Sequence, residues 1–115
     1  MGGEGSDPED RKIVQLARST RSRTGAAEGA AVRDQDGRTY TAATVQLVSL
    51  RISALRLAVA MAASSGARSL EAAAVVSDAE QIGAGDLDAV RDLGGAGVAV
   101  LRADRDGTVL DRSTT

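Results

Sequence analysis

Between Leu50 and Gly66 the chain is apolar at almost every position. Leu50, Ala54, Leu57 and Met61 recur at helical spacing, and Ile52, Leu55, Val59 and Ala62 fill the neighbouring faces. Only Arg51 and Arg56 carry charge before Ser64-Ser65-Gly66. This pattern predicts one helix that is apolar all round and buried at the centre of the domain, with Gly66 as its left-handed closing residue. Two arginines and modest length make the stretch marginal as a membrane span.

The flanking patterns are thinner. Ser6-Asp7-Pro8-Glu9 reads as a helix entry, and Ile13, Leu16 and Ala17 give the helix one apolar stripe. Thr24 to Glu28 connects it to a hairpin over Gly29 to Val45, turning at Asp36-Gly37. Leu70 to Ser77 is a continuous apolar run, as a buried strand would be. After the loop Gly83 to Gly85, Asp86 is the expected cap of a helix carrying Leu87, Val90 and Leu93, stopped by Gly94-Gly95. Val98 to Ala103 is a strand, Asp104 to Gly107 a turn and Thr108 to Leu110 a return strand. Strand–helix–strand units with right-handed crossovers give a three-layer α/β/α fold around one mixed sheet.

The 115 residues fit one domain over 7–111, between a disordered N-terminal tail (1–6) and a short C-terminal tail (112–115). Tyr40 is the sole aromatic residue, so the core must be built from Ala, Val, Leu and Ile. Fourteen cations are interspersed with sixteen acids, which is not a nucleic-acid footprint. The one basic cluster, Arg18, Arg21 and Arg23, suits a helix C-terminus. The acidic, Gly-rich N-terminus has neither signal-peptide nor anchor character, so no membrane association is expected and the cytoplasm is the default location.

Cysteine and histidine are both absent from the sequence. A hydroxyl such as Ser53 or Ser77 therefore lacks an imidazole base. The carboxylate pairs Asp86/Asp88 and Asp78/Glu80 read as helix capping and loop solvation. Two Asp-x-Asp-Gly segments, Asp34 to Gly37 and Asp104 to Gly107, begin like calcium loops. Their twelfth positions are Val45 and Thr115 instead of Glu, so both are expected to be hairpin turns.

Several segments in register resemble the cytidine deaminase family, over about Lys12 to Val100. Gly29-Ala30-Ala31 is similar to the opening of that family's first strand, and Asp36-Gly37-Arg38-Thr39-Tyr40 to its hairpin. Ser53-Ala54-Leu55-Arg56 stands where the family has Cys-Ala-Glu-Arg, and Ala74 to Asp78 resembles the next strand. The resemblance implies a zinc ion held by one Cys or His on the central helix and by a Cys-x-x-Cys at the next helix start. It also implies a Glu that shuttles protons from the zinc-bound water. In this chain the first ligand position is Ser53, the glutamate position Leu55 and the cysteine pair Asp86 and Ala89. A slide to compensate for a shorter preceding loop puts Leu55 and Leu57 there instead. The family's base-packing Phe falls on Ala26. Its ribose ligands fall on Thr44 and Gln46 by the hairpin register, or on Ala42 and Thr44 by the helix register. Arg56 alone survives from the signature, and is expected to pair with Asp86 or Asp88.

These positions imply a catalytically inactive member with no zinc, no other metal and no cofactor. The expected role is a structural or protein-interaction domain with an unidentified protein partner. Relatives assemble through their central helices, so a homo-oligomer (dimer or tetramer) is expected, with Ala58, Ala60, Ala62 and Ala63 allowing close contact. The same alanines would equally serve packing on the sheet. The alternative is a non-catalytic nucleoside or nucleotide sensor. For an enzyme of another class the sequence offers no base, nucleophile or metal site.

Overall fold

Two alanine-rich strands set the architecture, because their side chains alternate between two apolar layers. Ala30, Val32, Ala73 and Val75 face one layer, whereas Ala31, Ala72, Ala74 and Val76 face the other. The computed structural model describes residues 7–115; the tail expected over 1–6 lies outside the described residues. In chain order the elements are α1 (Pro8–Thr24), β1 (Gly29–Asp34), β2 (Thr39–Ala43), β3 (Val45–Gln46) and β4 (Arg51–Ile52). These are followed by α2 (Ala54–Ser64), β5 (Leu70–Val76), α3 (Ala84–Gly94), β6 (Ala99–Ala103) and β7 (Val109–Thr114).

Five strands form one sheet in the order β2-β1-β5-β6-β7. β5 and β6 run parallel, and the other neighbours are antiparallel. Ile13, Val14 and Ala17 of α1 cover one face, meeting Ala31, Ala74 and Leu101. Ala54, Leu55, Ala58 and Ala62 of α2, with Val90 of α3, cover the other. This is the expected α/β/α arrangement on a mixed sheet.

Local chemistry fixes the helix ends. The Asp7 carboxylate accepts the Glu9 N–H at 2.8 Å, Pro8 opens α1, and Gly25 closes it at φ 67°. The two Asp-x-Asp-Gly segments are matching hairpin turns. Asp34 Oδ1 accepts the N–H groups of Asp36 and Arg38 at 2.9 and 3.0 Å. Asp104 Oδ1 does the same for Asp106 and Thr108 at 2.9 and 3.1 Å. In both, the carboxylate is occupied by its own turn, as an Asx turn requires.

The structure corrects four sequence expectations. The apolar helix begins at Ala54, not Leu50, because Ser53 is extended and caps it, its Oγ accepting the Arg56 N–H at 3.2 Å. Arg51 and Ile52 instead pair with Gln46 and Val45 in a two-stranded ribbon. This helix is also not buried all round: Ala60 and Ala63 are exposed, as is Met61 at 38%. The sheet occupies the centre, and a helix lying on a sheet can bury only one side. Asp86 does not cap α3; Gly83 holds that position, and Asp86 lies in the first turn. Finally, residues 112–114, expected as a tail, pair with β6 because β7 runs on to Thr114. Among the described residues no helix is long and apolar enough to cross a membrane.

Small residues at the layer contacts permit a close approach. A Cβ on Gly29 would collide with the Ala17 carbonyl oxygen and lie 2.8 Å from the Arg21 Cβ. Gly29→Ala should therefore destabilise the domain by about 3 kcal/mol, the upper range for overpacking. Gly25→Ala, which has open space but a left-handed backbone, should cost about 1 kcal/mol. Urea unfolding midpoints test the ranking; equal losses would contradict the close contact.

Asp34 is buried, which alone would raise its pKa. The Tyr40 hydroxyl, donating at 2.9 Å, and the Arg38 and Asp36 N–H groups outweigh that and hold it below the usual carboxylate value. A depressed folded pKa means stability that is present above the unfolded value, near ~3.9, and lost as pH falls through the folded one. The stability gap between the native chain and Asp34→Asn should thus narrow on acidification below pH ~4. Urea titrations across that range would show a constant gap if the carboxylate were not involved.

Candidate functional site

The starts of α2 and α3 meet at one end of the α2/α3 layer. There the Ser53 Oγ donates to Asp86 Oδ1 at 2.6 Å while accepting the Arg56 N–H. Two of the positions singled out in the sequence are therefore in direct contact, although 33 residues apart. Leu55 is fully buried at 0% exposure, packed among the core residues beneath α2. Ala89 is half-buried against the same cluster and contributes only a methyl group. Arg56 does not pair with Asp86 or Asp88 as expected, and forms no ion pair among the described residues. Asp86 is already engaged by Ser53.

Beside this contact lies a cleft of about 580 Å³, whose walls include Thr44, Gln46, Ser53 and Arg56. The hairpin register thus carries its two positions to the cleft, whereas Ala42 of the helix register is in the core at 5% exposure. Thr44 Oγ1 accepts the Glu28 N–H at 3.1 Å. Ala26 stands outside this cleft, and its carbonyl accepts the Arg21 Nε at 3.4 Å.

Glu28 escaped the sequence reading as a cleft residue. Arg21, Ser77 and Asp78, read there as a helix end, a hydroxyl without a base and a solvated loop, line the cleft with it. Ser77 Oγ donates to Glu28 Oε2 at 2.7 Å and accepts the Ala79 N–H at 3.0 Å. Ser77 is buried and Glu28 half-buried, and their contact ties the entry to β1 to the exit of β5. Arg21 Nη2 donates to Asp78 Oδ2 at 2.9 Å, and that hydrogen bond holds the Asp78 carboxyl below its ordinary value. Arg21 Nη1 is buried with no hydrogen-bond partner, a cost of about 1–3 kcal/mol. The signal that could have found them is register: Gly29 pairs with Val76, so residues before β1 and after β5 must meet.

A hydroxyl, one carboxylate and a methyl group stand at Ser53, Asp86 and Ala89. Zinc sites use thiolate, imidazole and carboxylate donors, so these residues do not fit a zinc ion. Among the described residues no group of three or more His, Cys, Asp or Glu could hold a metal.

The cytidine deaminase-like family model matches residues 6–107. The chain belongs to the cytidine deaminase-like family. Cytidine deaminase from Burkholderia pseudomallei superposes with a TM-score of 0.78 at 22% identity, over 90% of each chain. The Mycobacterium leprae cytidine deaminase gives 0.70 at 18%, again over 90% of each. That of Mycobacterium tuberculosis gives 0.61 at 25%, over 75% of this chain and 81% of the other. No curated protein sequence matches. The deaminase fold is thus present.

If the Ser53–Asp86 contact joins the two helix starts, the substitutions Ser53→Ala and Asp86→Ala should not be additive. A double-mutant cycle read by urea unfolding should give a coupling of about 1 kcal/mol or more. Ser53→Ala alone should also cost about 1 kcal/mol through the lost α2 cap. Additive losses would show that the two groups act independently.

Proposed function

We propose that this chain is a deaminase-fold protein without deaminase chemistry, a cytoplasmic structural or interaction domain that assembles with copies of itself and with a protein partner. The observation that carries this reading is Leu55. It stands where the resemblance puts the proton-shuttling glutamate, it has no proton to exchange, and it is fully buried. The Ser53–Asp86 hydrogen bond supports it, since both side chains engage each other where ligands would stand. Hydrolytic deamination needs an activated water and a proton carrier; Leu55 cannot carry a proton, and the Ser53 hydroxyl is no ligand to activate a water.

The outer side of α2 supports assembly. Ala58 and Ala62 are used internally against the sheet, while Ala60 and Ala63 remain exposed beside the partly exposed Met61. The tip of the β3–β4 ribbon adds Leu47, Val48 and Leu50, exposed at 59%, 94% and 54%. Exposed apolar side chains are the raw material of interaction sites, and small side chains let two helices approach closely. Closed symmetry makes a dimer or tetramer the natural product.

Purified protein should contain no stoichiometric zinc by elemental analysis and should leave cytidine unconverted. Bound zinc or turnover would overturn the inactive reading. By light scattering it should be oligomeric, and Ala63→Glu should shift it toward monomer. A native monomer would remove the assembly half of the proposal. A second reading, a nucleoside or nucleotide sensor, is favoured by Thr44, Gln46 and Ser53 lining an open cleft. A saturable thermal shift with cytidine or uridine, without conversion, would select it.

A further inference from the structure

A second cavity lies on the other face of the sheet, between α1 and the β6–β7 turn. Its volume is about 890 Å³, within the roughly 300–1,000 Å³ range of small-molecule sites. Val76, the last residue of β5, and Arg105 and Asp106, just beyond β6, place it at the carboxyl ends of the parallel pair. Open α/β sheets bind ligands at that end.

Its charge is lopsided. Lys12, Arg18, Arg21 and Arg105 line it against one carboxylate, Asp106, in a chain whose net charge is −2. Lys12, Arg18 and Arg105 form no ion pair among the described residues. Arg21 is committed to Asp78 through Nη2 only, and its Nη1 is buried without a partner. Like charges gathered at one cavity wall repel, and an anion relieves that repulsion.

The wall is also held in place. Arg18 Nε donates to the Arg105 carbonyl at 2.9 Å. Gly107 fits so closely on α1 that a Cβ there would lie 3.1 Å from Gln15 Nε2. The turn is thus docked on the helix before any ligand arrives. Ser19 and Ser22 also line the cavity, and the half-buried Leu16 adds an apolar side chain to its wall.

We propose that this cavity binds a phosphate-bearing small molecule. Guanidinium forks match the paired oxygens of a phosphate, and the volume beyond one phosphate leaves room for an organic remainder beside Leu16. The site shares only Arg21 with the cleft at the α2 and α3 starts, and the proposal does not depend on any loss of catalysis there.

Calorimetric titration with inorganic pyrophosphate should show saturable one-to-one binding, with citrate at least tenfold weaker. The double substitution of Lys12→Gln and Arg105→Gln, both at exposed positions, should weaken pyrophosphate binding tenfold or more. Arg91→Gln, on the distant α3, should not change it. Amide shifts on the native chain should move at residues 15–22 and 105–107, a readout that needs no variant. Absence of saturable binding, equal affinity for citrate, equal loss with Arg91→Gln, or shifts confined to other segments would each overturn the proposal. Binding seen only with an oligonucleotide would overturn it in favour of nucleic acid.

Discussion

The closeness with which α1 lies on the sheet is the constraint on which the rest depends. Without Phe or Trp, the layers are joined by Ala17, Ala31, Ala72 and Ala74, and Gly29 has no room even for a methyl group. Such a core gains little area per residue, so it relies on close packing instead of bulk. Charged staples at the rim complement it. Arg33 joins Asp10 of α1 to Glu71 of β5, and Arg102 grips Asp111 of β7 through Nε and Nη2 while reaching the Ala79 carbonyl. Guanidinium groups suit this work, since one fork can bridge several acceptors.

The same closeness positions both clefts. Pairing Gly29 with Val76 brings the residues flanking those strands together, and α1 then delivers Arg21 between them. Arg21 lines both cavities and is bonded to both loops, through Ala26 and Asp78. The two sites therefore share one side chain while lying on opposite faces of one sheet. On the α2/α3 side, the family scaffold persists with a hydroxyl–carboxylate contact at the helix starts.

Much of the fold was legible because its signals are local. Pro8 after Asp7, the two Asp-x-Asp-Gly turns and the apolar run of β5 each specify their structure within a few residues. What misled was the stretch from Leu50 to Ser53, where helical spacing continued through residues that form a ribbon and a cap. A period of apolar residues does not reveal where Ser53 stops it, nor which side a sheet will cover. The last strand was expected only as far as Leu110; its continuation escaped because Asp111-Arg112-Ser113-Thr114 is polar, as an exposed edge is, and its pairing with β6 is a tertiary fact. At the site, Ser53, Leu55 and Asp86 were reachable by resemblance. Glu28 and Ser77 were not, since their meeting requires the register of strands distant in sequence.

Tyr40 is the only aromatic side chain, and its hydroxyl is bonded to Asp34 at the β1–β2 turn. The near-ultraviolet absorbance and intrinsic fluorescence of the whole domain therefore originate at one hairpin. A carboxylate acceptor quenches phenol emission, so light from this protein would brighten when that turn opens, before or without the rest of the sheet. Concentrations read from absorbance would rest on one weak chromophore. An optical unfolding curve would be the biography of a single turn.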